Sequence, residues 1–388
     1  MIIIFIRVWR GFPVSISNKI DIFDNAIIGA GCAGLTLANR ISSSTGQSIA
    51  IIDGQTKRPN HFWGFWDSGQ ASLKMARSIT KKHWSQWKII SHDTEVVHTG
   101  HHTIYRAISS CEFEKIAWQN LKKNQNVYYF KSHAKQINQL NEHNSLKLSN
   151  NQRVNAKAVF DSRPTASSQG ALLQHFLGLT IQCDDMPFDS SIATLMDFRV
   201  SQNEGIHFIY LLPLCEQTAL VESTVFSQNP KDDIWYINQI KEYLMVFHKC
   251  QNFTIKDTER GVIPMSFSQP SSSMGTPIGL RSGALRSSSG YAFAQIQSQI
   301  WELSSSVSEG GKSQARPGCD YFEQMMDRVM LKILKRQPTN APEIFIKIFK
   351  SVNGDQFADF MNGHSRWSSR LPLILNLPKL QFLKGLLN

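Results

Sequence analysis

A short apolar run, Ala26-Ile27-Ile28, stops on a glycine, and apolar residues return at Leu35, Ala38 and Ile41. The run reads as a buried strand and the return as one face of a helix. A second apolar run, Ser48 to Ile52, and a third, Val154 to Asp161, predict further strands. Asn126 to Lys131 and Ser145 to Leu148 read as strands of a small meander. Between them, Asn60 to Gly69 reads as an aromatic loop. Tyr105 to Ile108, with Phe113, Ile116, Ala117 and Leu121, predicts an amphipathic helix entered from a turn.

The pattern then changes. Ile192 to Val200, Ile206 to Leu212 and Thr218 to Phe226 are alternating or apolar, separated by turn residues, as an antiparallel meander requires. Ile234 to Phe247 has helical spacing. Ser304 to Gly318 reads as an exposed Ser/Gly-rich loop, and from Tyr321 onward the chain is helical, broken by Pro338, Pro342, Pro372 and Pro378. The prediction is an α/β fold. A nucleotide-binding Rossmann-like domain (24–171 and 264–303) carries an inserted antiparallel-sheet domain for substrate (172–263). A loop and a helical region (304–388) follow, and residues 1–23 form an extension.

With 388 residues, 41% of them hydrophobic, the chain is long enough for about two domains. The net charge of +11 suits an anionic surface, either nucleic acid or acidic lipid. No Lys/Arg block or zinc-finger spacing accompanies it, which favours a membrane surface. The six cysteines are scattered without a C-x-x-C pair and predict reduced thiols in a cytoplasmic setting. His98, His101 and His102 read as a solvated cluster, and no metal is expected. Met1 to Ile6 is too short to span a bilayer, which takes about 20 apolar residues. The tail Leu371 to Leu387, with Lys379 and Lys384, suits either a lipid surface or packing on the core.

Candidate chemistry begins at Gly29-Ala30-Gly31-Cys32-Ala33-Gly34, a G-x-G-x-x-G turn between strand and helix. The first glycine permits the turn, the second the approach of a pyrophosphate, the third close helix packing. Asp53 ends the second strand about 20 residues on, where an acid binds the adenosine ribose. Asp161 and Arg163 form a polar turn at the end of a strand and are further cofactor contacts. Gly279 and Gly283 lie in a second glycine-rich loop ahead of a helix. Trp63, Phe65 and Trp66 build core or line an apolar cavity near the cofactor. Two acids, Asp197 and Glu222, sit inside apolar strands. An acid there is costly unless paired or functional, although alternation also allows either one to face solvent.

These segments together resemble the lycopene cyclase family of carotenoid-forming flavoproteins. The resemblance runs from Asp24 to the end through Asn60…Trp63-Gly64-Phe65-Trp66, Phe160-Asp161-Ser162-Arg163-Pro164 and Gln174-His175-Phe176-Leu177-Gly178. It continues through Ala193 to Arg199, Ala219-Leu220-Val221-Glu222, Ile263-Pro264-Met265 and Ser289 to Phe293. The family holds reduced FAD, draws on NAD(P)H to keep it reduced, and closes the linear ends of lycopene into β-ionone rings without net redox change. The resemblance gives Glu222 the catalytic-acid role, with Asp197 as the other candidate. Gly64 replaces the usual cysteine, and Leu280-Arg281-Ser282 replaces small residues, which puts a bulky cation in a loop expected to touch the flavin. Arg286-Ser287 replaces a Lys-Pro pair. A flavin hydroxylase or reductase of an isoprenoid, and a cyclase-like protein that binds carotenoid without turnover, are the rival readings.

Overall fold

The fold is described from a computed structural model, which covers residues 21–55, 58–164, 170–266, 274–308, 314–363 and 365–376. Met1 to Ile6, Lys379 and Lys384 lie outside these residues. Strand β1 (Phe23–Ile28) leads through the glycine turn to helix α1 (Cys32–Ser44) and β2 (Ile49–Ile52). Then come β3 (Phe62–Asp67), α2 (Lys74–Ser78), β4 (Lys82–Trp84), β5 (Gln86–Ile90), β6 (Glu95–Thr99) and β7 (Ile104–Ser109). Helix α3 (Ser110–Leu121) precedes β8 (Val127–Phe130), β9 (Ala134–Gln139), β10 (Asn144–Leu148) and β11 (Arg153–Asp161). The middle of the chain supplies β12 (Leu172–Cys183), β13 (Ile192–Asp197), β14 (Ile206–Pro213), β15 (Thr218–Ser227), α4 (Asp233–His248) and β16 (Phe253–Met265). A short β17 (Thr276–Pro277) is followed by helices α5 (Phe293–Ser308), α6 (Tyr321–Arg336), α7 (Ala341–Lys350), α8 (Gly354–Met361) and α9 (Trp367–Asn376).

Among the described residues the strands form three sheets. The first runs β8-β2-β1-β11-β10-β9, with β17 beside the end of β11. Its β8, β2, β1 and β11 are mutually parallel, the connection that crossover helices such as α1 and α3 require. β8 therefore belongs to the parallel core of this sheet, and only β9 and β10 make a meander with β11. The second sheet runs β16-β12-β15-β14-β13-β5-β6. It draws β5 and β6 from well before residue 172, so it is wider than the 172–263 stretch.

The third sheet, β3-β7-β4, changes two expectations. The aromatic segment is a strand, not a loop, and Tyr105 to Ile108 pairs with it instead of starting a helix. Helix α3 begins only at Ser110, where the Ser109 hydroxyl accepts the Glu112 N–H at 3.3 Å and caps it. The Ser304–Gly318 loop also begins later than expected, because α5 continues to Ser308 and Ser304 is buried.

One face of the second sheet packs against α4 through Leu177, Ile209, Val221, Tyr236 and Ile240. Its other face packs on the third sheet and helices α6 to α9 through Trp66, Phe208, Tyr210, Met330 and Phe357. Cys183 and Cys250, at the ends of β12 and α4, are disulfide-bonded, whereas scattered spacing predicts free thiols. Among the described residues no helix is long and apolar enough to cross a membrane.

Candidate active site

The glycine turn is held by close backbone contacts. A Cβ at Gly34 would lie 2.0 Å from the Gly29 carbonyl oxygen, so only glycine lets α1 pack this near β1. The Ser162 hydroxyl donates to the Ile28 and Gly29 carbonyls at 2.8 and 3.2 Å, tying the end of β11 to the same turn. A Cβ at Gly31 would meet none of the described residues within 4 Å. The turn therefore leaves open space beside its second glycine, the opening that a pyrophosphate needs at a helix amino terminus. The second loop closes against this turn, since a Cβ at Gly279 would lie 2.6 Å from the Ala33 Cβ. Burial pushes the Cys32 thiol up to about 12, so it packs as an unreactive group.

Asp53 stands at this turn, accepting the Ala30 N–H at 2.6 Å. Arg58, which the sequence did not single out, pairs with Asp53, bonds the Ala30 carbonyl and lies 3.3 Å from Glu114. Asp161 and Arg163 behave otherwise than predicted. Asp161 is fully buried and accepts from Arg163 Nε and Nη2 at 2.9 and 2.7 Å and from the Met274 N–H at 3.2 Å. Burial would raise its pKa, but the Arg163 bonds outweigh that and hold the carboxyl below its ordinary range. This pair braces two loops of the protein.

Arg281 joins the same brace. It donates to the Arg163 carbonyl at 2.9 Å and lies 3.6 Å from Asp161. Leu280, not Arg281, lines the cavity described next. Gly283, with φ +83°, closes the 279–282 turn behind it.

A cavity of about 390 Å³ runs from Cys32 and Leu280, beside the glycine turn, to Glu222 on β15. Trp63, Tyr105, Phe176, Tyr210, Tyr291 and Phe293 supply aromatic walls. Gly64 admits one of them, because a Cβ there would collide with the Tyr105 hydroxyl at 2.0 Å. A second apolar cavity of about 80 Å³, between the sheet and the C-terminal helices, shares Tyr210, Ser289 and Tyr291 with the first. Of the predicted aromatic trio, Trp63 lines the first cavity and Trp66 the second. Phe65 lines neither of the two and packs on Phe293 with ring centroids 5.0 Å apart.

Glu222 is partly accessible, and its open side is the cavity. The Thr224 hydroxyl donates to its Oε1 at 2.5 Å. Removal from bulk water, and then the nearby charge of Glu259, push its pKa up to about 8. Both causes favour the protonated acid, in an aromatic-walled space. Tyr105, Tyr210 and Tyr291, all raised by burial first and then by neighbouring groups that include Glu222, remain neutral hydroxyls around it.

Asp197 is not part of this site. It is fully buried on the α4 side of the sheet, where Arg199 donates to both its oxygens at 2.9 and 2.6 Å and the Tyr243 hydroxyl donates at 2.8 Å. Such an acid is a paired structural group, not a proton donor to a ligand.

The model of the family described as lycopene cyclase protein matches residues 24–386. The chain is 28% identical over 160 residues to a lycopene beta-cyclase of Pseudescherichia vulneris, covering 38% of this chain and 40% of that protein. The similarity thus spans less than half the length of that relative. It is 24% identical over 283 residues to the lycopene beta-cyclase of Pantoea ananas, covering 70% of this chain and 71% of that one. Among solved structures it is similar to a flavoprotein/dehydrogenase from Cytophaga hutchinsonii, with 12% identity, a TM-score of 0.61, and 94% and 99% of the two chains covered. A geranylgeranyl bacteriochlorophyll reductase-like protein from Thermoplasma acidophilum gives 13% identity and a TM-score of 0.57, with 94% and 95% covered. These two likenesses bear on the fold alone.

Proposed function

The chain belongs to the lycopene cyclase family, and from that premise we propose that it cyclises the linear ends of lycopene to β-rings by acid catalysis. The observation that carries this reading is the joining of the glycine turn to Glu222 by one aromatic-walled cavity. The open space at Gly31 and the packed glycines around it fit a dinucleotide. Residues Gly29 to Gly34 would hold FAD, with Asp53 toward its ribose and Leu280 against the cavity. Reduced FAD, kept so by NAD(P)H, would supply an electron-rich ring system beside a cation.

The chain's own residues carry the proton. Glu222 gives its proton to the terminal double bond of the polyene, and the resulting carbocation is attacked by a neighbouring double bond to close the ring. Return of a proton from the ring to the Glu222 carboxylate restores neutrality and regenerates the acid, so the reaction is an isomerisation with no net redox change. Electron-rich faces of Trp63, Tyr105, Tyr210 and Tyr291 stabilise positive charge in this aromatic-walled space. Thr224 fixes the carboxyl, and burial keeps it protonated until the substrate takes the proton.

The substrate is dissolved in a membrane, and the protein reaches it from the surface. The net charge of +11 favours anionic lipid. Trp367, Leu371 and Leu375, spaced four residues apart on α9 and all more than half exposed, form an apolar stripe suited to resting on lipid.

The test is expression in a lycopene-accumulating bacterial host with pigment chromatography. Wild type is expected to yield cyclised carotene, and Glu222→Gln to lose on the order of 10²–10⁴-fold in rate. Cyclisation by Glu222→Gln at the wild-type level would refute the assignment.

A further inference from the structure

Glu222 has a neighbour of the same sign. On β15 it stands opposite Gly178 of β12, and Gly178 stands opposite Glu259 of β16 on its other side. Residues in one such row point to the same face of a sheet. The middle residue has no side chain, and Glu259 leans into the gap. A Cβ at Gly178 would lie 3.0 Å from the Glu259 Cγ and 3.1 Å from its Oε1.

Glu259 is held there by the third sheet. It is 5% exposed, its Oε2 accepts the Phe62 N–H at 2.8 Å, and His61 Nδ1 lies 3.5 Å from the same oxygen. Among the described residues its Oε1 is buried without a hydrogen-bond partner. A backbone donor and an imidazole thus gather on one oxygen, and the other is left toward the row that contains Glu222.

We propose that Glu259 is a positioning residue for the acid step, whose negative charge, set across Gly178, keeps the proton on Glu222 until the substrate accepts it. This rests on Glu222 being the proton donor. The physics is that two nearby carboxylates in a space shielded from water do not both ionise. Glu259 Oε2 takes the Phe62 N–H and faces His61, whereas among the described residues Glu222 takes the Thr224 hydroxyl alone. The asymmetry assigns the proton to Glu222. The other titratable groups facing Glu222 are Tyr105 on β7, Tyr210 on β14 and Tyr291 ahead of α5, each held neutral by burial. His61, just ahead of β3, lines the same cavity.

The test is infrared titration of the protonated carboxyl band in the full-length, flavin-loaded protein, with Glu222→Gln identifying the band. In wild type the band is expected to disappear with a midpoint near 8. In Glu259→Gln the midpoint moves down by about one unit, and the alkaline limb of cyclisation activity moves with it, about tenfold in protonation equilibrium. Gly178→Ala retains both acids but presses Glu259 out of the row, and a smaller shift in the same direction is expected. An unmoved midpoint in Glu259→Gln overturns the proposal. If that variant does not fold, an unmoved midpoint in Gly178→Ala does so. Failure of the donor assignment itself would show separately, as cyclisation surviving in Glu222→Gln.

Discussion

Glu222 and Asp197 point to opposite faces of one sheet. Asp197 stands opposite Ile209 and Glu222 opposite Tyr210, and consecutive residues of a strand face opposite ways. One acid therefore enters the aromatic cavity. The other meets Arg199 and Tyr243 beneath α4.

Asp197→Asn is expected to lower stability, because Arg199 loses its charged partner and Tyr243 its acceptor. The loss is about 1–3 kcal/mol, kept modest by the partial exposure of Arg199. Denaturant unfolding would give the loss, and pigment formed per flavin-loaded molecule is expected to stay near wild type. Abolished cyclisation in a variant of unaltered stability would return Asp197 to the acid site.

Glu222 also makes stability depend on pH. Its folded pKa, about 8, lies above the ordinary 4.5, so the folded state binds more protons between these values. Stability from this group is complete below about 4.5 and is lost as pH rises to about 8, by a few kcal/mol at most. Glu222→Gln should flatten that alkaline decline, read as the difference between the two melting curves from pH 5 to 8.5. Parallel curves would mean that the acid is not desolvated.

Two glycines of the turn should separate folding from cofactor binding. Gly31→Val puts its side chain into open space, so the protein folds but loses flavin, measured by the bound-flavin spectrum. Gly34→Ala forces a Cβ onto the Gly29 carbonyl, and soluble, folded protein is expected to fall sharply. Full flavin content in Gly31→Val would move the site elsewhere.

Anionic vesicles should bind the protein more strongly than neutral ones. Added salt should release part of the bound fraction, since exposed charges are screened over about 10 Å at 0.1 M. Trp367→Ser with Leu371→Ser should weaken the salt-resistant part, measured by co-sedimentation. Unchanged binding of that double variant would exclude the α9 stripe as the contact.

Local pattern determined much of this protein. The strand, glycine turn, helix and following strand at 26–52 are legible because each is a short-range signal: an apolar run, a backbone position without a side chain, a 3.6-residue period. So is the candidacy of Glu222, an acid within Leu220, Val221 and Val225. What the sequence could not decide is what lies across from what. Tyr105 to Ile108 runs straight into the apolar face of the next helix, and its pairing with β3, some forty residues earlier, leaves no local signal, so it reads as the start of that helix. β5 joins β13 from a hundred residues earlier in the chain, a pairing that depends on no local signal. The register break between Thr194 and Asp197 fixes the face that Asp197 takes, and strand periodicity alone does not reveal such a break. Glu259 sits among the exposed Lys256, Asp257 and Arg260, so no local feature marks it out. Only the tertiary structure sets it beside Gly178, because an empty place in one strand matters once two others have paired with it.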